Sequence, residues 1–340
     1  MNKNPDIFRG TQLFSHKNNE ALFYFNKIKV LNNQVRRIPS LLICNLVTNT
    51  SEVVKLDTIK RKCPQEVLLI ISKYELAQEI SCAIGDPYDI SLKQEWVDKF
   101  ISGQIRDEEL EPTHLIKSIH GHLKNLVHLP KNVYHILSLW VYGTYFYSQF
   151  FYCPSLLIVG DNIDNKAELA KILKLFSLNG KYVRGIKAKD LLKLINHEGG
   201  TFIFDNPNTS KYTKRILLKI LGNGHFSFSS YLGYYIYSPK VILNAPLYEQ
   251  AARDNSIQIS VSPETYSNSN YYEENQDKFS ELSSLCCLSA MKHFQQLYEI
   301  YWGLPKSTNE LYHPLVAIGK LVGGDYEKAF DDFYSVYQVV

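Results

Sequence analysis

The chain has 340 residues, 45% hydrophobic and 21% charged, with a formal net charge of +3 from 37 basic and 34 acidic side chains. Those proportions exclude an intrinsically disordered chain, and the near balance of charge leaves any nucleic-acid affinity to local clusters. The six cysteines include the vicinal Cys286-Cys287 and no C-x-x-C pair, so neither a zinc site nor a disulfide framework is expected, but buried thiols in a reducing cytosol.

The N-terminus MNKNPDIFRG has no apolar core of signal-peptide length. The longest apolar stretch, Tyr134 to Phe151, is broken by Ser138, Gly143, Ser148 and Gln149. It falls short of the roughly 20 clean residues of a membrane span. A cytoplasmic protein without a membrane association is expected.

In chain order, residues 20 to 75 carry short β-branched or aromatic runs, ALFYFNKIKVL, SLLICNLVTN, SEVVKLDTI and EVLLIIS, and predict a β-rich or mixed region. From Lys73 the pattern turns helical; KYELAQEISCAIG stops at Gly85, and LKQEWVDKFISGQI follows. Glu111-Pro112-Thr113 marks the next helix start, with Thr113 as candidate cap. In THLIKSIHGHLKNLVHL the apolar positions Leu115, Ile116, Ile119, Leu123, Leu126 and Val127 keep a helical period until Pro130 closes it. NVYHILSLWVYGTYFYSQFF is apolar all round, which predicts a buried helix.

Beyond Pro154 strands alternate with helices. SLLIVG, a short piece at Lys181 to Gly185, GTFIFDN, PKVILNAP and IQISVSP read as strands; NKAELAKILKLFSL, KAKDLLKLINH and KYTKRILLKILGNG read as helices. SFSSYLGYYIY reads as a hairpin. This rhythm predicts a mostly parallel sheet. ETYSNSNYYEENQDKFSE is polar and predicted as a loop. LSSLCCLSAMKHFQQLYEIYWGL, NELYHPLVAIGKLVGG and DYEKAFDDFYSVYQ are helical in pattern. Residues 1–110, 111–265 and 266–340 are the three expected regions.

The stretch from Gly160 to Ala167, GDNIDNKA, has the outline of a phosphate loop, G-x-x-x-x-G-K-[ST]. In such a loop the second glycine lets backbone N–H groups approach phosphates, the lysine reaches the outer phosphates, and the hydroxyl holds magnesium. Gly160 and Lys166 fit the spacing. Asn165 stands for the second glycine, and asparagine tolerates a left-handed backbone. Ala167 cannot ligate a metal. Asp161 and Asp164 add two carboxylates, and unit charges ~4 Å apart repel by about 4 kcal/mol at an effective dielectric of 20. The plain alternative is an ordinary strand–turn–helix.

Asp205, at the end of TFIFD, stands where a magnesium-holding acid would, but Asn206 cannot take a proton as a following acid would. Arg253, before the strand SIQIS, is placed to reach a neighbouring subunit's phosphate, or else to pair with Asp254 on the surface. Lys211, Lys214 and Arg215 are candidate phosphate-backbone contacts, with Phe226, Tyr231 and Tyr234 as candidate stacking rings; solvated helix faces are the plain alternative. His120, His122, His128 and His135 have no metal-ligand spacing, and His120 and His122 point to different helix faces. No metal site is expected.

In order, these landmarks resemble the helicase-like P-loop ATPase domain, of the AAA+ or superfamily-three kind, found in phage, plasmid and archaeal mobile-element replication proteins. LVHLPKNVYHILSLWVYGTYFYSQFFYCPSLLIVG, NKAELAKILKLFSLNG, TFIFDN, ILGNGH, PKVILNAP with Asn244 at its end, ARDNSIQISV and ELYHPLVAIGKLVGGDY are similar to that family's successive segments, over about Leu123 to Tyr326. The departures fall on the chemistry: the second loop glycine, the loop hydroxyl, the acid after Asp205 and a second arginine at Asn255.

The resemblance implies an α/β, P-loop NTPase-like, mostly parallel sheet with helices on both faces, a helical C-terminal cap and a separate N-terminal β or α+β domain. It further implies a non-hydrolysing relative that binds DNA or a replication partner, as a homo- or hetero-oligomer, without a cofactor. The alternative is a diverged but active ATP-dependent helicase or translocase. There Lys166 would grip the phosphates with Gly160 and Asn165, Asp205 would bind magnesium, Asn244 would sense the nucleotide, and Arg253 would act across a subunit interface.

Overall fold

The computed structural model describes residues 12–15, 19–31, 34–55, 91–183, 190–192, 194–195, 199–205, 228–229, 234–235, 237–243, 256–261, 268–305 and 310–329. Four strands come first: β1 Gln12–Ser15, β2 Glu20–Leu31, β3 Gln34–Asn45 and β4 Thr50–Lys55. They pair antiparallel in sequence order, with β2 and β3 in register from Glu20↔Asn45 to Leu31↔Gln34. Asparagine turns serve this sheet. Asn19 and Asn49 adopt φ of 54° and 51°, a region asparagine enters at low cost. The Asn45 side chain accepts from the N–H groups of Val47 and Thr48, both at 3.0 Å.

Helices follow: α1 Gln94–Ile101, α2 Pro112–Leu126 and α3 Lys131–Gly143, the last continued by a 3-10 turn, Thr144–Gln149. The expected start of α2 holds to the residue, but its mechanism differs. Pro112 opens the helix after Glu111, and the Thr113 hydroxyl donates to the Val322 carbonyl at 3.0 Å instead of capping. Proline suits the first helical position because it has no N–H to leave unpaired. Pro130, expected to close α2, stands at the cap of α3. The apolar-all-round α3 is buried from Ile136 to Gly143.

Beyond it lie β5 Ser155–Val159, α4 Ile163–Phe176, β6 Lys181–Val183, β7 Phe202–Asp205, β8 Phe228–Ser229, β9 Tyr234–Tyr235, β10 Lys240–Leu243 and β11 Ser256–Ser260. β8 and β9 form the expected hairpin. The other five make one all-parallel sheet in the order β11-β5-β10-β7-β6, flanked by helices. Strands such as SLLIV and KVIL are apolar without alternation because both faces of a parallel sheet are covered; every residue from Lys240 to Leu243 is buried.

The C-terminal part holds α5 Ser269–Glu274, α6 Gln276–Trp302, a 3-10 turn Glu310–Tyr312, and α7 His313–Val322. The polar stretch expected as a loop is therefore helical from Ser269. Asn268 caps α5 by accepting from the Tyr271 N–H at 3.1 Å, and the Tyr271 hydroxyl lies 2.9 Å from His122 Nδ1. That long-range anchor outweighs the weak intrinsic propensity.

The 27-residue α6 runs through the core. Ser289 donates to the Leu110 carbonyl at 2.6 Å and bonds the Tyr142 hydroxyl at 2.7 Å, so its small side chain ties α6 to the turn before α2 and to α3. The antiparallel sheet packs on the same helix. Phe14 stacks on Phe294 with ring centres 5.3 Å apart and on Phe146 of the α3 extension at 6.2 Å, and Cys44 Sγ touches Met291 Sδ at 4.0 Å.

Cys44, Cys153, Cys286 and Cys287 are buried free thiols, while Cys63 and Cys82 lie outside the described residues. Burial pushes the Cys44 thiol up to about 11 and Cys153 to about 12, which suppresses thiolate chemistry at neutral pH. Among the described residues no helix is long and apolar enough to cross a membrane. The helices expected over Lys73–Gly85 and Lys211–Gly224 also lie outside the described residues.

Candidate functional site

The strand order makes β5 a switch point. The chain leaves β5 for the β10, β7 and β6 side and returns to its other side with β11. In open α/β sheets ligands collect at the carboxyl ends of strands at such a point. Leu243 of β10 pairs with Ile158 of β5 on one side and with Asp205 of β7 on the other. The strand leading to Lys166 and the strand ending at Asp205 are thus two apart, about 9.6 Å at ~4.8 Å per strand.

The loop at this point is shorter than a phosphate loop. β5 ends at Val159 and α4 begins at Ile163, leaving only Gly160, Asp161 and Asn162 between them. Gly160 has φ 138°, and a Cβ there would stand 2.3 Å from the Val261 carbonyl oxygen. The Val261 N–H donates to the Val159 carbonyl at 2.8 Å. Gly160 is therefore required by the close passage of the chain after β11, and that requirement is met without any phosphate.

Asn162 closes the helix end. Its side chain accepts from the Asn165 N–H at 3.0 Å, and its carbonyl accepts from the Lys166 N–H at 3.3 Å. A helix start leaves unpaired N–H groups that an anion can bind; here the chain's own carboxamide takes one. Asn165 is consequently helical, contrary to its expected role as a left-handed stand-in for glycine. Asp164 lies in the first turn of α4, where a carboxylate already offsets the positive end of the helix dipole.

Lys166 is the fourth residue of α4 and only 6% exposed. Its side chain is packed one turn inside the helix instead of projecting from the loop's end. Ile163, by contrast, is 65% exposed at the helix tip, an apolar group in the position a phosphate would approach. Asp205 is half-buried at the end of β7. Asn244, Arg253, Lys211, Lys214 and Arg215 lie outside the described residues, so of the predicted set the structure brings together Gly160, Asn165 and Lys166, with Asp205 two strands away.

At the other, amino edge of the sheet, polar groups are buried. The register sets Ser256 beside Ser155, and Ser155 one step before the Leu156↔Val241 pair, so beside Lys240. Lys240 is 1% exposed and its ammonium donates to the Ser238 carbonyl at 2.9 Å. Burial pulls its pKa down to about 8, opposed by the neighbouring Cys153. The hydroxyls of Ser155 and Ser256 are buried with no hydrogen-bond partner.

A cleft also opens along α4 toward its C-terminal end, about 590 Å3 in volume, with Lys93, Lys171 and Lys174 on its walls. Sequence reasoning missed these lysines. Lys171 and Lys174, three apart on α4, were a legible signal of one basic helix face, but nothing local ties Lys93 to them.

The α2 histidines do point apart: His120 packs on His135 with ring centres 4.7 Å apart, and His122 on Phe279 at 5.2 Å. Comparison of the chain with protein-family models, with curated proteins and with solved structures returns no match.

Proposed function

We propose that this chain is a non-hydrolysing, ATPase-like protein of a virus, plasmid or integrated element, which acts by binding DNA or a partner replication protein. The observation that carries the first half is the self-capped junction of β5 and α4. A triphosphate arriving there would have to displace the Asn162 carboxamide from the Asn165 N–H and share the loop with Asp161 and Asp164. Each further anion beside those carboxylates adds repulsion of a few kcal/mol, and Ala167 offers no metal ligand in return. The parallel order, with β10 between the strands of Lys166 and Asp205, supports an ATPase-like framework kept after its chemistry was lost. DNA as the ligand is supported by Lys211, Lys214 and Arg215 in the sequence.

A calorimetric titration with ATP and magnesium tests the first half. The expected result is no saturable heat and no phosphate release. Turnover that disappears in Lys166→Ala would overturn the reading in favour of the active helicase or translocase. For the second half, oligonucleotide binding is expected to weaken with salt and to fall in a Lys211→Ala, Lys214→Ala, Arg215→Ala triple variant. Binding to neither single- nor double-stranded oligonucleotides would leave a protein partner in place of DNA.

A further inference from the structure

We propose that the cleft beside the C-terminal half of α4 is a binding site for a small organic anion with an apolar body. Its volume of about 590 Å3 lies within the range of pockets that bury a drug- or cofactor-sized molecule. The floor is apolar, made by Leu126, Ile172, Leu175 and Phe279. Phe279 is held edge-on by Phe176 at 5.1 Å and by His122 at 5.2 Å, so the floor is pre-formed. Tyr182 stands on the wall with its hydroxyl donating to the Ala167 carbonyl at 3.3 Å.

The rim is cationic. Lys93, Lys171 and Lys174 face a single carboxylate, Glu168, which pairs with Lys171. Two segments far apart in sequence thus bring positive charge to one opening. A second feature points to a ligand: Ser177 lines the cleft, is 1% exposed, and its hydroxyl has no hydrogen-bond partner. Buried hydroxyls are ordinarily paired, and leaving one unpaired costs free energy.

These features select the ligand's chemistry by charge complementarity. A neutral apolar molecule would cover the floor but desolvate the lysines without compensation. A bare inorganic anion would satisfy the lysines and leave the floor uncovered. A molecule with an anionic head and an apolar body meets both, and the Ser177 hydroxyl can donate to its head.

The test is a fluorescence titration of the full chain with anilinonaphthalene sulfonate, beside N-phenyl-1-naphthylamine, which has the same rings and no charge. Saturable one-to-one binding of the sulfonate is expected. Lys93→Glu and Lys174→Glu should each weaken it by about fivefold or more, while changing the neutral amine by less than about twofold. Ser280→Trp, which fills the cleft, should abolish both signals.

Competition with decanoate and with naphthyl phosphate distinguishes a carboxylate head from a phosphate head, and displacement by at least one is required. No sulfonate binding, binding indifferent to either lysine reversal, or binding that survives Ser280→Trp would each overturn the proposal. Lys93 is exposed and Lys174 half-buried, so the two reversals leave folding intact and decide the matter even if the tryptophan variant does not fold.

Discussion

The two edges of the parallel sheet contrast sharply. At the carboxyl edge, where a strand-end glycine and a lysine suggest a phosphate loop, polar groups satisfy one another: Gly160 is packed against Val261, Asn162 caps α4, and Asp164 faces the helix dipole. At the amino edge the chain buries Lys240, leaves the Ser155 and Ser256 hydroxyls without partners, and carries the hydroxyl of Ser177 unpaired beside the cleft. A spacing motif therefore marks the place where ligands commonly bind, while unsatisfied buried polarity marks where this chain has paid most for something other than stability. Motif reading detects the first and is blind to the second.

The largest expected effect tests whether the carboxyl edge is a packing junction. Gly160→Ala places a methyl group 2.3 Å from the Val261 carbonyl oxygen at φ 138°, a backbone region essentially closed to residues with a Cβ. Stability should fall by about 3 kcal/mol or more, read from urea unfolding of the two proteins. A loss under about 1 kcal/mol would mean that the loop can move away from β11, and the argument against a phosphate cradle would weaken with it.

The amino edge is probed next, through pH. The folded pKa of Lys240, about 8, lies below its unfolded value of 10.5. Between those values the unfolded chain holds a proton that the folded chain lacks, so stability rises as pH rises through that window. Tyr142 and Tyr145 act oppositely above pH 10, because burial holds both phenols above 10.0; the clean window is pH 8 to 10. There the wild-type chain should gain about 2 kcal/mol, and Lys240→Met should show no such rise. If the methionine variant keeps the same slope, another group titrates and the amino edge is less exceptional than the contrast requires.

Much of the framework was legible in the residues. SLLIV, FIFD and KVIL announced covered parallel strands through unbroken apolar runs, and the α2 and α3 patterns marked the helices beneath them. Three features were not legible, for separate reasons. Asn268 to Glu274 looked like loop because its helix depends on a contact between Tyr271 and His122, far away in sequence. Lys240 looked like the polar start of a strand, since burial of a first strand residue has no local signal. The cleft is assembled from Lys93, α4, α5 and α6, and no local window contains more than one of its walls.

The β5–α4 junction is the subtler case, because the sequence carried two signals there. G-D-N-I-D-N-K matched the spacing of a phosphate loop, and Asn162 before an apolar-periodic stretch matched a helix cap. The two cannot both be realised: a cap at Asn162 starts the helix too early for Lys166 to end a loop. The smallest predicted effect separates them. Asn162→Ala removes the acceptor for the Asn165 N–H and should cost about 1 kcal/mol, the usual worth of an N-cap side chain. It should also leave ATP binding undetectable, since Asp161, Asp164 and the missing hydroxyl remain. If freeing that N–H brings saturable nucleotide binding, the cap is an occupant of a working cradle and the carboxyl edge differs from a nucleotide site by one side chain. If stability falls and no nucleotide binds, the junction is a helix cap in origin and the lysine's spacing is coincidental.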